Sequence, residues 1–219
     1  MPKKSNMYLD LDPFKIIETS FHPDRAKVSE SIFSLANEYS GIRGYFDEGY
    51  SGERLQGSYF NGIYEYSLKD TENAYKGIVK RTHFTINSVN WVKCKLEVDG
   101  EVLDLNVSKF ENFKRVLDLK SGLYTREFVW RSKKGDIHIK FERLMNMEYC
   151  HERKKKISLT SSNDLDINIS FSLDNNVLHW GNHCYWEKDK IYQEKDIYGL
   201  SSKTLKSKQS LVSLMKVDS

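Results

Sequence analysis

The chain has 219 residues, of which 39% are hydrophobic, 13% aromatic and 30% charged, and 34 Lys and Arg against 31 Asp and Glu leave a formal charge of +3. No apolar run approaches the ~18 residues of a spanning helix, the aromatic content exceeds what a solvated disordered chain carries, and the near-neutral charge gives no basic field for nucleic acid. The three cysteines, Cys94, Cys150 and Cys184, frame neither a disulfide set nor a CxxC metal site. A reducing, cytoplasmic setting fits them, and Met1 to Asp12 lacks the apolar stretch of a signal peptide.

Helical periodicity is scarce. Ser29 to Asn37 suits one or two helical turns, and Lys109 to Leu117 a second short piece. The dominant pattern is period two. Val92, Cys94, Leu96 and Val98 alternate with Lys93, Lys95 and Glu97, and Asp99-Gly100 then predicts a tight hairpin, because both central positions of a type I′ turn need positive φ. A second hairpin is expected from Tyr124 to Leu144. Tyr124, Phe128 and Trp130 share one face, Lys133 to Asp136 make the turn, and Ile137, Ile139 and Phe141 return on one side. A third is expected from Ile157 and Leu159, through a turn at Ser161 to Asp164, to Leu165, Ile167, Ile169, Phe171 and Leu173. Ser201 to Ser219 alternates weakly, as an unfinished strand pair or a fraying tail. Repeated short strands without intervening helices predict a mainly β fold, a large antiparallel β-sandwich with few short helices.

The segment Glu30 to Glu65 reads ESIFSLANEYSGIRGYFDEGYSGERLQGSYFNGIYE. It resembles the N-terminal domain of glycoside hydrolase family 65, the maltose, trehalose and kojibiose phosphorylases. Asn90-Trp91, Lys114 to Asp118 with Thr125-Arg126-Glu127, and Phe141-Glu142-Arg143 follow in the family's order, so the likeness runs from about Asp12 to about Trp186. The resemblance implies one β-sandwich domain over 1–219, short of its last strand or strands, with the family's (α/α)6 catalytic barrel absent. It also implies an inverting phosphorolysis of an α-linked disaccharide. There an acid in the barrel protonates the leaving oxygen and inorganic phosphate, the co-substrate of the full-length enzyme, replaces the base-activated water of other inverting enzymes. No catalytic residue and no cofactor is expected in this chain. The implied partners are a catalytic barrel of the same family, in cis or in trans, an α-linked disaccharide in the full-length context, and a second copy of the chain; neither nucleic acid nor a membrane is among them. The alternative is a free-standing carbohydrate-binding or scaffold module.

Candidate site residues follow. Gly41-Ile42-Arg43-Gly44 reads as a tight loop in which glycine allows positive φ and close approach. Arg43, Tyr45, Phe46 and Glu48 are candidates for a barrel interface or the rim of a sugar site, with Ile42, Tyr45 and Phe46 expected as exposed apolar members. The sequence departs from the family pattern at Glu38, Ser40 and Tyr45, and a positive φ at Glu38 would cost about 1 kcal/mol. Asp47, Glu48 and Glu53 are either an acid/base group or a solvated or interfacial loop. Trp180 and Trp186, with Tyr185, are either a sugar-stacking platform or packed aromatics. His179 and His183 read as a turn rather than a metal site, since nothing there is helical. The basic run His151 to Lys156 reads as a charged strand edge.

Overall fold

A computed structural model describes residues 7–68, 80–179 and 183–218. The elements are β1 (Asp10–Leu11), β2 (Lys15–Glu18), α1 (Ala26–Ile32), β3 (Leu35–Ala36), β4 (Ser40–Ile42), β5 (Ser58–Phe60), β6 (Tyr64–Leu68) and β7 (Arg81–Thr85). There follow β8 (Cys94–Val98), β9 (Glu101–Val102), β10 (Phe110–Asp118), β11 (Leu123–Ser132), β12 (Gly135–Met145), β13 (Arg153–Ser161), β14 (Ile167–Phe171), β15 (Trp186–Glu194), β16 (Ile197–Thr204) and β17 (Ser210–Lys216). The fold is mainly β, in antiparallel sheets. Among the described residues no helix is long and apolar enough to cross a membrane.

Two compact units emerge, one from Met1–Gln56 with Cys94–Phe171, the other from Gly57–Lys93 with Ser172–Ser219. The first is a sandwich. A six-stranded sheet in the order β1-β2-β10-β11-β12-β13 faces a three-stranded sheet in the order β14-β8-β9. Alternation places Phe128 and Trp130 of β11 and Ile137, Ile139 and Phe141 of β12 inward, against Cys94, Leu96 and Val98 of β8. The Asp99-Gly100 turn forms as the sequence requires, with φ of 47° and 82°. The second hairpin is tighter than expected. Ser132 pairs with Gly135, so only Lys133 and Lys134 loop out and Asp136 lies in the strand opposite Arg131.

Three expectations change. Lys109 to Leu117 is strand, not helix. Asn112 takes a positive φ of 55° at a bulge between Glu111 and Lys114, and the extra residue turns a period of two into the three-residue spacing of Phe110 and Phe113. The third hairpin does not close. β13 pairs with β12, while β14 pairs with β8, so the chain crosses from one sheet to the other at 162–166. Its apolar residues Ile157, Leu159, Leu165, Ile167, Ile169 and Phe171 still pack on the core, each partly buried. The helix comes three residues early, after a 3₁₀ turn at Pro23–Arg25. In the second unit, β15, β16 and β17 form one antiparallel sheet, so the end of the chain is paired strand through Lys216.

Candidate functional site

The core face of the six-stranded sheet is apolar at one end and charged at the other. Strand register lays Glu18, Arg115, Arg126, Phe141 and Ile157 in one row across β2, β10, β11, β12 and β13. Ile16, Leu117, Tyr124, Arg143 and Lys155 form the next row. Arg115, Arg126 and Arg143 have the parity of Phe113, Phe128 and Phe141, so they are driven inward with the aromatic residues, and all three are buried. Guanidiniums tolerate such sites better than ammonium groups because they are planar and weakly hydrated. Arg126 sits 4.2 Å from the Phe46 ring centre and 4.3 Å from that of Phe141, and Arg115 lies 4.8 Å from that of Phe33.

Arginines directly opposite each other in a sheet repel, and buried ones must be paired. The partners come from β2 and from the segment after β4. Glu18 takes the Nε–H of Arg115. Glu48 takes both Nη groups of Arg126, the Nη1 bond at 2.7 Å, with both side chains wholly buried. Asp47 accepts from Arg143 Nη2 at 2.6 Å and Nε at 3.1 Å, and Lys155 Nζ lies 3.5 Å from its Oδ1. Arg143 also donates to the carbonyls of Arg43 and Tyr45. Burial disfavours the charge on Asp47, but Arg143, then Lys155 and Arg126, outweigh it and hold its carboxyl below the usual range. Burial likewise opposes the Arg143 charge, yet Asp47 keeps that guanidinium protonated.

A second set of bonds fixes the same segment from the helix side. The Gly44 N–H donates to the Glu30 carbonyl at 2.7 Å, and the Leu55 N–H donates to the Glu30 carboxylate. Burial pushes Glu30 above the usual carboxylate range, against that bond and the attraction of Arg115, Arg54 and Arg143. Asn37 is a clasp. Its Nδ2 donates to the carbonyls of Asn146 and Cys150 at 2.8 and 3.0 Å, and its Oδ1 accepts from the amides of Tyr39 and Ser40.

The candidates of the 41–49 segment are therefore placed differently from expectation. Ile42, Tyr45, Phe46, Asp47 and Glu48 are buried, so the exposed apolar patch expected there does not exist. Phe46 belongs to the aromatic core with Phe21, Tyr50 and Phe113. Asp47 and Glu48 are neither solvated nor free for acid/base work, since each is spent on an arginine; Glu53 alone is exposed, paired with Lys27. Arg43 is half-buried and donates to Ser31 Oγ at 2.8 Å. Neither Gly41 nor Gly44 needs positive φ, and Glu38 does not adopt it. Gly44 is required by contact, because a Cβ there would lie 2.7 Å from that of Phe33.

In the second unit, Trp186 is buried and its indole N–H donates to the Asn87 carbonyl at 2.8 Å, which is the packing alternative. Trp180 lies outside the described residues. His179 and His183 face each other across a bridge, with His179 stacked on Phe84 at 5.7 Å. Among the described residues no group of three or more His, Cys, Asp or Glu is placed to hold a metal ion. In the basic run, Lys155 turns inward to Asp47 while Lys154 and Lys156 are exposed on the outer strand of the sheet.

The arginines were visible in the sequence only as parts of motifs. Their signal was parity: Arg126 lies between Tyr124 and Phe128, and Arg143 two residues after Phe141. A charged residue at an inward position must find a counter-charge, and here the Asp47-Glu48 pair supplies it from 78 and 96 residues away along the chain.

The profile of "Glycosyl hydrolase family 65, N-terminal domain" matches residues 16–218. The chain is 30% identical over 205 residues to a maltose phosphorylase of Bacillus subtilis (strain 168), covering 90% of this chain and 27% of that protein. It is 38% identical over 141 residues to an alpha,alpha-trehalose phosphorylase of Thermoanaerobacter brockii, covering 62% and 18%. A solved structure assigned as a kojibiose phosphorylase from human microbiome superposes with a TM-score of 0.92 at 54% identity, covering 95% of this chain and 28% of that one. The matched stretches thus span between 18% and 28% of these relatives' length.

Proposed function

The chain belongs to glycosyl hydrolase family 65 through its N-terminal domain, and on that premise we propose that it is the non-catalytic part of a disaccharide phosphorylase-type protein. Its role is to pack on a catalytic barrel and shape the rim of the sugar site. The parent reaction is cleavage of an α-linked disaccharide by inorganic phosphate. The observation that carries the reading is the commitment of the buried carboxylates. Asp47 and Glu48 sit in ion pairs with Arg143 and Arg126, and the first is held ionised. An acid that donates a proton to a glycosidic oxygen needs the opposite, a carboxyl kept protonated near neutral pH; Glu30 is pushed that way by burial, but its carboxylate is turned to the Leu55 amide and fixes the same loop. The network instead fixes a loop of defined shape, which suits a domain that supports a site built elsewhere.

A free-standing sugar-binding module would use flat, open aromatic faces. The rings of β6 and β7 do not line up that way. Tyr64 meets His83 at 88° and Arg81 covers Tyr66 at 3.8 Å.

The test is a chimera in which residues 16–218 replace the matched stretch of the solved relative. The chimera should release glucose 1-phosphate from kojibiose and phosphate, and the free chain should release none. Turnover by rigorously purified free chain, or a folded chimera without turnover, would overturn the reading.

A further inference from the structure

The charged end of the six-stranded sheet carries more donors than its acids answer. Among the described residues, Arg115 Nη1 and Nη2, Arg126 Nε and the Tyr124 hydroxyl are buried and meet no hydrogen-bond partner. They lie together. Arg115 and Arg126 are opposite each other on β10 and β11, and Tyr124 is one row on. Both guanidiniums flank the Phe46 ring, at 5.8 and 4.2 Å from its centre. The Phe33 ring joins the other pair, 4.8 Å from the Arg115 guanidinium and 6.1 Å from the Tyr124 ring. Aromatic faces attract the positive charge, but a buried donor left without an acceptor is costly, and a charged one more so.

The charge balance points the same way. Arg115, Arg126, Arg143 and Lys155 bring four positive charges, and Glu18, Asp47 and Glu48 answer three of them. Glu30 is the fourth acid nearby, but its carboxylate is turned to the Leu55 amide and burial pushes it toward the neutral form. A buried surplus of one charge calls for a counter-charge.

The chemistry of the unpaired groups selects the occupant. A guanidinium only donates. Both carboxylate oxygens of Glu18 already accept, from Ser29 and Arg115, and those of Asp47 and Glu48 accept from Arg143 and Arg126. A water molecule would accept from Arg115 but leave its own hydrogens in search of an acceptor. A halide ion accepts N–H and O–H bonds, donates none and supplies the missing negative charge. Phosphate brings up to two charges or a proton of its own to place, and so overshoots a surplus of one.

We propose that Arg115, Arg126 and Tyr124 form a buried site for one small monovalent anion of the halide class, seated against the two Nη groups of Arg115. The ion completes the charge balance beneath the 43–48 segment. It is a structural ligand of the first unit and takes no part in sugar chemistry.

Urea unfolding of the purified chain in sodium bromide, balanced with sodium gluconate to constant ionic strength, tests it. The unfolding equilibrium constant should fall about tenfold once bromide reaches about ten times its dissociation constant. General salt effects favour strongly hydrated anions, so a gain from bromide is not of that kind. Arg115→Met should remove the bromide dependence, and Arg131→Met, at an exposed arginine, should keep it. Crystals grown in sodium bromide give a reading that needs no variant: anomalous density should lie against Arg115 Nη1 and Nη2. Should Arg115→Met not fold, the crystal decides. A parent chain that ignores bromide overturns the site, as does a bromide effect that survives Arg115→Met or anomalous density confined to the surface. Density at Arg115 with no effect on unfolding marks an adventitious ion only and overturns it too. A larger effect from inorganic phosphate at the same ionic strength overturns the halide assignment.

Discussion

A buried row of arginines sets the first compact unit apart, and an exposed apolar sheet face sets apart the second. The first unit puts charge inside. Arg115, Arg126 and Arg143 point into the sandwich beside Phe128, Ile139 and Phe141, and acids from β2 and the 47–48 segment neutralise them. The second unit puts apolar groups outside, with Ile191, Tyr192, Val212 and Leu214 exposed on its three-stranded sheet. A buried ion pair adds little stability over an apolar replacement, but it admits one partner geometry. An exposed apolar strand gives away stability that a covering group would recover. In the first unit, unpaired burial is therefore heavily punished; in the second, the outer side chains are nearly free to change.

The largest effects should come from breaking one half of a buried pair. Arg126→Met keeps much of the contact with Phe46 and Phe141 but strands Glu48, and should cost ~3–5 kcal/mol in urea unfolding. Adding Glu48→Leu should restore most of that loss. Equal losses in the single and double variants would show that the pair is not coupled. Phe141→Ala removes a fully buried ring from the same face and should cost ~3–5 kcal/mol, a loss that no second change at Glu48 rescues.

Much of this fold was legible because alternation is a local signal. Tyr124, Phe128, Trp130, Ile137, Ile139 and Phe141 announced their face and are buried on it. What failed had local mimics or non-local causes. The bulge at Asn112 imitated a helical spacing. The partner of β14 is a strand some seventy residues earlier, and nothing near Asn163 distinguishes a crossing from a turn. The site was misread for a related reason. Tyr45, Phe46, Asp47 and Glu48 look like a wet, mixed loop until the inward arginines are set beneath them. Each half of the ion-pair network is explicable only by the other, and the two lie on average about ninety residues apart along the chain.

Smaller effects should separate the two supports of the 43–48 segment. Gly44→Ala forces a Cβ to within 2.7 Å of that of Phe33 and should cost ~1–3 kcal/mol. The pH dependence should have two components of opposite sign. Asp47 titrates below its ordinary value of 3.8, so its contribution is complete above that pH and is lost as pH falls through its folded-state value. Glu30 titrates above its ordinary value of 4.5, so its ionisation costs stability at neutral pH, a cost relieved as pH falls through its folded-state value. Acid unfolding curves of Asp47→Asn and Glu30→Gln should diverge from the parent in opposite directions. Matching curves would mean that neither carboxyl is held as the geometry requires.

The smallest effect is expected within a single strand, where the contrast between the units is sharpest. Leu211 and Val212 are neighbours in β17, but alternation sends them to opposite faces. Leu211, opposite Ser202, is buried, whereas Val212, opposite Ser201, is 58% exposed. Leu211→Ala should therefore cost ~2–5 kcal/mol, while Val212→Ser in the free chain should stay within ~0.5 kcal/mol. Burial explains both numbers only while the outer face of β17 is uncovered. A Val212→Ser cost as large as that of Leu211→Ala would mean that burial does not separate the two faces of β17.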